Sequence, residues 1–269
     1  MSLESPFPKI MGIVNVTPDS FSDGGQFDSQ SDAVRHALRL IEEGADILDI
    51  GGESTRPGAD PVSAEEECER VLPVIEGIRS HNSTIPISID TSKSVVAEHA
   101  LHAGATMIND VSAARHDDRM LSVAATHGAP LILMHMQGDP RTMQVEPRYD
   151  NVVKDVASFL KSRVEAALQA GVSDVYVDPG IGFGKTLEHN LHLLRGLEEF
   201  SKIAPVVLGI SRKRFLGEIT GIESASERDE ATALMHSLLI PAKAAIVRVH
   251  AVRQLSMLRA LHTTVHPLL

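Results

Sequence analysis

The segment GADILDI, Gly44–Ile50, joins a glycine to a short apolar run that contains an acidic residue. A glycine suits the left-handed position that ends a helix. The apolar run after it suits a strand of a parallel sheet that is covered on both faces. The same pattern returns in GATMIND from Gly104, GAPLILMH from Gly128 and GVSDVYVD from Gly171. We therefore predict four helix-to-strand junctions of one kind.

Further apolar runs extend this pattern along the whole chain. KIMGIVN, IPISID, PVVLGIS and AAIVRVH bring the number of candidate strands to eight, and amphipathic stretches fill the gaps between them. Eight such units in about 250 residues are typical of a (β/α)8 TIM barrel. We predict this α/β fold as a single domain over residues 1–269. A doubly wound sheet is the alternative, but it usually has fewer strands and one switch point.

The composition excludes several classes of protein. The formal net charge of −11 argues against general nucleic-acid binding. A single cysteine, Cys68, excludes a disulfide framework and has no metal-ligand spacing around it. Because the chain shows neither a signal pattern nor a long apolar run, we expect a cytoplasmic protein that does not bind membranes.

Polar residues stand at or near the end of every predicted strand. The eight positions are Asn15, Asp49, Asp90, Asn109, His135, Asp178, Ser211 and His250. Active sites of barrels are assembled from the carboxyl ends of the strands and the loops that follow them. The sequence therefore predicts that these side chains converge.

The segment DPGIGFGKT, which begins at Asp178, contains three alternate glycines after an acidic residue. It does not match a phosphate-binding P-loop, because the first glycine of that motif is replaced by proline. We interpret Gly180, Gly182 and Gly184 as positions where the backbone approaches a flat ligand, beside the ring of Phe183. An ordinary flexible loop is the alternative.

Three loops have an unusually specific sequence: NVTPDSFSDGG, GGESTRPGA and SRKRFLG. Together with SIDTSK, IND, LMHMQG, DPGIGFGKT and RVH, they resemble the dihydropteroate synthase family, in order, from Ile10 to His250. The resemblance implies a transferase of folate biosynthesis. It would condense 6-hydroxymethyl-7,8-dihydropterin pyrophosphate with p-aminobenzoate to give 7,8-dihydropteroate and pyrophosphate.

The pterin ring presents an edge of amide and amino groups, for which buried carboxylates are natural acceptors. Asp90 and Asp178 provide two carboxylates, and Asn109 both donates and accepts. For Asp178 alone, a cap of the following helix is the alternative, and for Asp90 alone, an Asx-turn before Thr91. The resemblance implies a pterin site that comprises Asp90, Asn109, Asp178, Lys213, Arg248, Phe183 and Gly182.

Arg248 and His250 lie two residues apart, so their side chains face the same way. A packed arginine is costly unless an anion meets it, and we expect pyrophosphate to be that anion. A salt bridge to a helix glutamate is the alternative. The resemblance adds Arg56 and Asn15 to the pyrophosphate site. It implies that Asn15 ligates Mg²⁺, which takes its other oxygens from phosphates and water.

Two loops rich in glycine, proline and serine suit lids over such a site. The resemblance implies that they help to form the p-aminobenzoate pocket, although surface loops without substrate contact are the alternative. The pocket residues would be Phe21, Thr55, Arg56, Pro57, Phe183 and Arg214. Arg214 departs from the family pattern, which often has a small hydroxyl residue there.

The expected chemistry depends on charge placement rather than on an acid/base pair. Pyrophosphate leaves a carbon attached to a conjugated ring, so cleavage of the C–O bond can precede attack by the neutral arylamine. By resemblance the catalytic residues are Arg248, His250, Lys213, Asp19 and Asp23. The resemblance also implies a homodimer. The alternatives are a non-catalytic pterin-binding paralogue and a methyltetrahydrofolate methyltransferase.

Overall fold

A computed structural model describes residues 7–17, 26–54, 59–138, 142–240 and 244–265. Its strands and helices alternate along most of the chain. The strands are β1 (Lys9–Asn15), β2 (Ile47–Gly51), β3 (Ile87–Asp90), β4 (Met107–Asp110), β5 (Leu131–Met134), β6 (Val175–Asp178), β7 (Val207–Gly209) and β8 (Ile246–Val249). The predicted set of eight strands is confirmed.

The helices lie outside the strands and cover them. They are α1 (Gln26–Glu42), α2 (Ala64–His81), α3 (Ser94–Ala103), α4 (Met120–His127), α5 (Val152–Gln169), α6 (Leu187–Arg195), α7 (Leu197–Ser201), α8 (Arg214–Thr220), α9 (Asp229–Leu239) and α10 (Val252–Val265). Within the described ranges, no helix is both long and apolar enough to cross a bilayer.

The strands form one parallel sheet in the order β6-β5-β4-β3-β2-β1-β8-β7. The two end strands meet, because the amide of Val177 donates to the carbonyl of Pro205 at 3.0 Å and Val177 forms a parallel bridge with Val206. The sheet therefore closes into a TIM barrel, as predicted, and the doubly wound alternative is wrong.

The glycines of the repeated junctions have the backbone conformation that the sequence predicts. Gly44, Gly104, Gly128 and Gly171 have φ angles of 101°, 114°, 60° and 93°. Each ends or follows a helix before the chain enters a strand. These left-handed positions favour glycine because a side chain there is strained.

The barrel interior changes character along its axis. Nearer the amino ends of the strands, the interior is filled by an apolar layer, which we call the floor. Its members are Met11, Ile47, Met107, Ile132, Val207 and Ile246. Side chains two residues further along a strand point the same way. On β2, β4 and β8 those next positions are Asp49, Asn109 and Arg248, so the polar residues stand directly above the floor.

Candidate active site

A cavity of about 1000 Å³ opens at the carboxyl ends of the strands. It is lined by each described residue that the family resemblance assigns to a substrate or to Mg²⁺. These are Asn15, Asp90, Asn109, Asp178, Gly182, Phe183, Lys213, Arg214, Arg248 and His250. The predicted residues Asp19, Phe21, Asp23, Thr55, Arg56 and Pro57 lie outside the described residues. Of the eight strand-end residues predicted to converge, six line the cavity: Asn15, Asp90, Asn109, Asp178, Ser211 and His250. Asp49 and His135 are buried and are not among the lining residues. The roles of the lining residues toward substrates stay predictions.

Arg248 is the cation at the centre of the barrel. Its Nε donates to Asp49 Oδ2 at 2.5 Å and its Nη2 donates to Asp90 Oδ2 at 2.7 Å. Burial disfavours the charge of Arg248, but the two carboxylates outweigh that effect and raise its pKa. Arg248 is therefore paired with acids of the barrel interior rather than with the helix glutamate considered from the sequence.

The two aspartates expected to bind the pterin are held differently. Burial raises the pKa of Asp90, and Arg248 opposes this rise. Burial also raises the pKa of Asp178, to about 6, while a hydrogen bond from the Gly180 amide opposes the rise. That bond runs 2.7 Å from Gly180 N to Asp178 Oδ1 and closes a local turn, whereas the helix cap considered for Asp178 from the sequence is wrong, since Thr186 caps the following helix. The bond uses only one of the two carboxylate oxygens of Asp178, and the residue lines the cavity.

Lys213 faces Asp178 from the start of α8. Its Nζ lies 3.8 Å from the centre of the Phe183 ring, a close cation–π contact. Burial lowers the pKa of Lys213 to about 8, although the negative charge of Asp178 opposes this shift. The preceding Arg212 makes two 2.7 Å bonds to the carboxylate of Asp229, and these bonds hold the turn that carries Lys213.

One wall of the cavity is apolar. Phe183 belongs to a cluster of buried side chains that also contains Val111, Met134, Met136 and Met143. Phe183, Val111, Met134 and Met143 line the cavity. Methionine is flexible and polarisable, and it makes favourable contacts with aromatic rings. This wall therefore suits a flat aromatic ligand.

The glycines after Asp178 have a packing role that the sequence did not reveal. A Cβ on Gly180 would collide with the carbonyl oxygen of His135, and one on Gly184 would lie 2.8 Å from the carbonyl oxygen of Gln137. Both glycines have positive φ angles, 66° and 65°. They thus allow the loop after β6 to pack on the loop after β5. Gly180 and Gly182 also line the cavity, so their contact with a flat ligand stays a prediction.

A buried lysine that the sequence did not single out joins these loops. Lys185 Nζ donates to the Phe183 carbonyl oxygen at 2.8 Å and lies 3.0 Å from His135 Nδ1. Burial lowers the pKa of Lys185 to about 7 and that of His135 to about 3. When Lys185 is protonated, it donates this hydrogen bond and His135 Nδ1 accepts it, since an ammonium group has no acceptor. The sequence GKT does not indicate that Lys185 is buried.

His250 lines the cavity and is held by Ser211. The hydroxyl of Ser211 lies 3.0 Å from His250 Nδ1 and accepts from the His250 amide at 3.1 Å. Asn15 ends β1 and lines the same cavity. Arg214 lies at the rim with its side chain 88% exposed, and it pairs with Glu218 at 2.9 Å. The sequence alone could not separate the enclosed Arg248 from this exposed arginine.

The chain is similar to known proteins over most of its length. The family model described as "Pterin binding enzyme" matches residues 11–250. The chain belongs to the pterin-binding enzyme family. Within this family, it is 46% identical over 250 residues to the dihydropteroate synthase of Synechocystis, covering 92% of this chain and 86% of that protein.

Solved structures of the pterin-binding enzyme family agree. A Xanthomonas albilineans dihydropteroate synthase with 4-aminobenzoic acid has a TM-score of 0.91 and 46% identity, covering 97% of this chain and 93% of that one. The same enzyme in complex with 7,8-dihydropteroate has a TM-score of 0.88 and 42% identity, covering 99% and 95%. The predicted dihydropteroate synthase activity, that of a transferase on a TIM barrel, is confirmed.

Proposed function

We propose that the cavity condenses 6-hydroxymethyl-7,8-dihydropterin pyrophosphate with p-aminobenzoate and releases pyrophosphate. The observation that carries this proposal is that carboxylates and a cation line one cavity: Asp90 and Asp178 lie in it with Arg248, and His250 lines the same cavity. A pterin pyrophosphate has the matching chemistry, with a donor-rich ring at one end and an anion at the other. The similar Xanthomonas structures contain 4-aminobenzoic acid and 7,8-dihydropteroate.

The pterin would lie between the acids and the Lys213–Phe183 pair. Asp178 and Asp90 accept from the amino and amide groups of the ring, and Asn109 supplies both a donor and an acceptor. Because these residues sit on rigid strands, the ring is held in one orientation. Lys213 Nζ and the centre of the Phe183 ring lie 3.8 Å apart, so this pair offers the pterin a positive charge next to an aromatic side chain.

The pyrophosphate would meet Arg248, His250 and Asn15. Within the described residues, no cluster of three or more His, Cys, Asp or Glu side chains is placed to bind a metal by itself. Asn15 lines the same cavity as Arg248 and His250, and its amide oxygen fits a Mg²⁺ ion that takes its remaining oxygens from the substrate and water. When bound, Mg²⁺ would supply positive charge at the leaving group.

The protein's own part in the reaction is electrostatic. As the C–O bond breaks, Arg248 and His250 stabilise the departing anion, and Asp90 and Asp178 stabilise the positive charge that spreads into the pterin ring. The amine of p-aminobenzoate then attacks the methylene carbon and loses a proton to water. The apolar wall formed by Phe183 and the methionines keeps water away from the cation.

A homodimer in the cytoplasm accompanies this proposal. Two neighbouring helices, α9 and α10, expose large apolar side chains to solvent. These are Leu234 (60% exposed), Leu238 (74%), Met257 (56%), Leu261 (64%) and Val265 (45%). Apolar surface of this kind is typical of a protein interface. A second copy of the chain would cover it without closing the cavity, which opens at the carboxyl ends of the strands.

The decisive experiment mixes the purified protein with the dihydropterin pyrophosphate, p-aminobenzoate and Mg²⁺, and follows pyrophosphate release and dihydropteroate formation. We expect release that depends on the amine and product in equal amount. Binding of the dihydropterin pyrophosphate without amine-dependent release would instead support the non-catalytic paralogue. Transfer of a methyl group from methyltetrahydrofolate would support the methyltransferase.

A further inference from the structure

Asp49 lies beneath the cavity, in the middle of β2, with a completely buried side chain. Its Oδ2 accepts from Arg248 Nε at 2.5 Å and from Asn109 Nδ2 at 3.1 Å. One carboxylate oxygen therefore joins β2 to β4 and to β8. Both partners, the guanidinium of Arg248 and the amide of Asn109, line the cavity.

The contact with Asp49 fixes the orientation of the Asn109 amide. A carboxylate only accepts hydrogen bonds, so the Asn109 atom that faces it must be the nitrogen. The carbonyl oxygen and the second N–H of Asn109 are then presented elsewhere. Because a pterin edge alternates donors and acceptors, an amide turned by 180° would present the wrong partners.

Arg248 is held at two points of unequal accessibility. Its Nε is bound by Asp49, which is completely buried, and its Nη2 is bound by Asp90, which lines the cavity. Ring donors that reach Asp90 Oδ2 compete with Nη2 for that oxygen. The bond from Nε to Asp49 is out of the ligand's reach, so it keeps the guanidinium in place while Nη2 changes partner.

We propose that Asp49 is a positioning residue of this enzyme: it anchors Arg248 through Nε and orients the Asn109 amide, so that pterin binding at Asp90 frees Nη2 for the pyrophosphate. This inference deepens the proposed function and rests on it. Asp49 itself touches no substrate, since its side chain is sealed beneath the cavity.

The charge of Asp49 gives the proposal a pH signature. Burial raises the pKa of Asp90, the positive charge of Arg248 lowers it, and the negative charge of Asp49 raises it further. The charged groups that act on or face Asp90 are Arg248, Asp49, Glu67, Asp110 and Lys213. Pterin binding that needs ionised Asp90 is lost as the pH falls through its pKa. Removing the charge of Asp49 lowers that pKa and moves the loss to lower pH.

The test uses Asp49→Asn and Asp49→Glu, with Ser88→Ala as matched control. Ser88 is also completely buried and is the register partner of Asp49 on β3. Calorimetry measures binding of 6-hydroxymethyl-7,8-dihydropterin between pH 5 and 9, and steady-state assays give KM and kcat for both substrates. Thermal melts establish that the variants are folded.

For Asp49→Asn we expect pterin affinity and kcat/KM for the pyrophosphate substrate to fall by about 10- to 100-fold, the effect of one charge-assisted hydrogen bond. Its acid limb of pterin binding should move to lower pH. Asp49→Glu keeps the charge, so it should lose affinity with the acid limb unmoved. Ser88→Ala should stay within about 3-fold of the wild type, which is less than 1 kcal/mol.

The inference is overturned if Asp49→Asn binds the dihydropterin within about 2-fold of the wild type, or if Ser88→Ala loses as much as Asp49→Asn. An unmoved acid limb in Asp49→Asn also contradicts it. If Asp49→Asn does not melt cooperatively, Asp49→Glu decides, and wild-type affinity in that variant overturns the inference. A failure of the proposed function looks different: wild-type protein would bind the pterin but release no pyrophosphate with the amine.

Discussion

The floor of the barrel and the polar residues above it occupy the same interior, two residues apart on the same strands. On β8, Ile246 belongs to the floor and Arg248 lies above it; on β2 the corresponding residues are Ile47 and Asp49. The backbone is regular at both levels. The difference is therefore one of side chains, and it separates the part that stabilises the barrel from the part that binds ligands.

The polar level lowers the stability of the barrel. Burial raises the pKa of Asp90 and of Asp178, so at neutral pH the folded chain holds carboxylates that would ionise more readily in the unfolded chain. A buried ion pair seldom stabilises more than apolar residues of similar size. The charges at this level are explained by what they bind rather than by the stability they provide.

Arg248→Gln should have the largest effect on activity. Gln keeps a donor for Asp49 or Asp90 but loses the positive charge that faces the pyrophosphate. We expect kcat/KM to fall by about 10²- to 10³-fold, as when a group that stabilises transition-state charge is removed. Because the change leaves the buried Asp49 without its cation, the variant should also melt at a lower temperature, so activity is compared per folded molecule. A variant with normal turnover would contradict the role given to Arg248.

Ile246→Ala tests the floor, two residues before Arg248 on the same strand. Ile246 is 1% exposed, and truncating such a side chain costs about 3 kcal/mol of the free energy of unfolding. Denaturant titration would measure this loss. Per folded molecule, kcat/KM should stay within about 3-fold of the wild type. A large loss of activity in the folded fraction would mean that floor and polar level are not separable.

The barrel was predictable from sequence because its signals are local. The glycines at helix ends, the apolar runs and the polar residues after them each depend on a few neighbouring positions. The predicted residues of the cavity followed because all strands of a barrel deliver their carboxyl ends to one side. Asn109, Asp178 and Arg248 are found together for that reason.

Other parts of the cavity depend on contacts between distant segments. Asp49 bonds to Arg248, which is 199 positions away in the chain, and only the register of the closed sheet brings them together. The burial of Lys185 depends on the loop after β5, which supplies His135. The same packing requires a glycine at Gly180, where the sequence suggested only a ligand contact. Pairings across loops leave no periodic pattern in a sequence.

Asp178→Asn should stabilise the protein while it weakens pterin binding. Burial raises the pKa of Asp178 to about 6, so above pH 6 the wild type carries a carboxylate whose charge the fold disfavours. The variant should melt a few degrees higher at pH 8, by about 2 to 4 °C. As the pH falls to 5, folded Asp178 becomes protonated and the difference in Tm should shrink. Thermal melts at both pH values measure this, and a difference that grows toward pH 5 would contradict it.

Arg214→Ala should have the smallest effect, and it tests whether the rim differs from the enclosed polar level. Arg214 is 88% exposed and already pairs with Glu218, so water screens any contact with the p-aminobenzoate carboxylate. We expect KM for p-aminobenzoate to rise by about 2- to 5-fold at low salt, with kcat unchanged.

Measurements at high salt and in variants of Arg214 and of its partner Glu218 distinguish a weak contact between Arg214 and p-aminobenzoate from no contact. The rise in KM should vanish at about 1 M salt, where the screening length is about 3 Å. Arg214→Lys should keep most of the affinity, because a point charge serves a solvated contact nearly as well as a guanidinium. Glu218→Gln frees Arg214 from its partner and should lower KM slightly. A loss above about 10-fold in Arg214→Ala would mean that the bound state encloses this arginine as completely as Arg248.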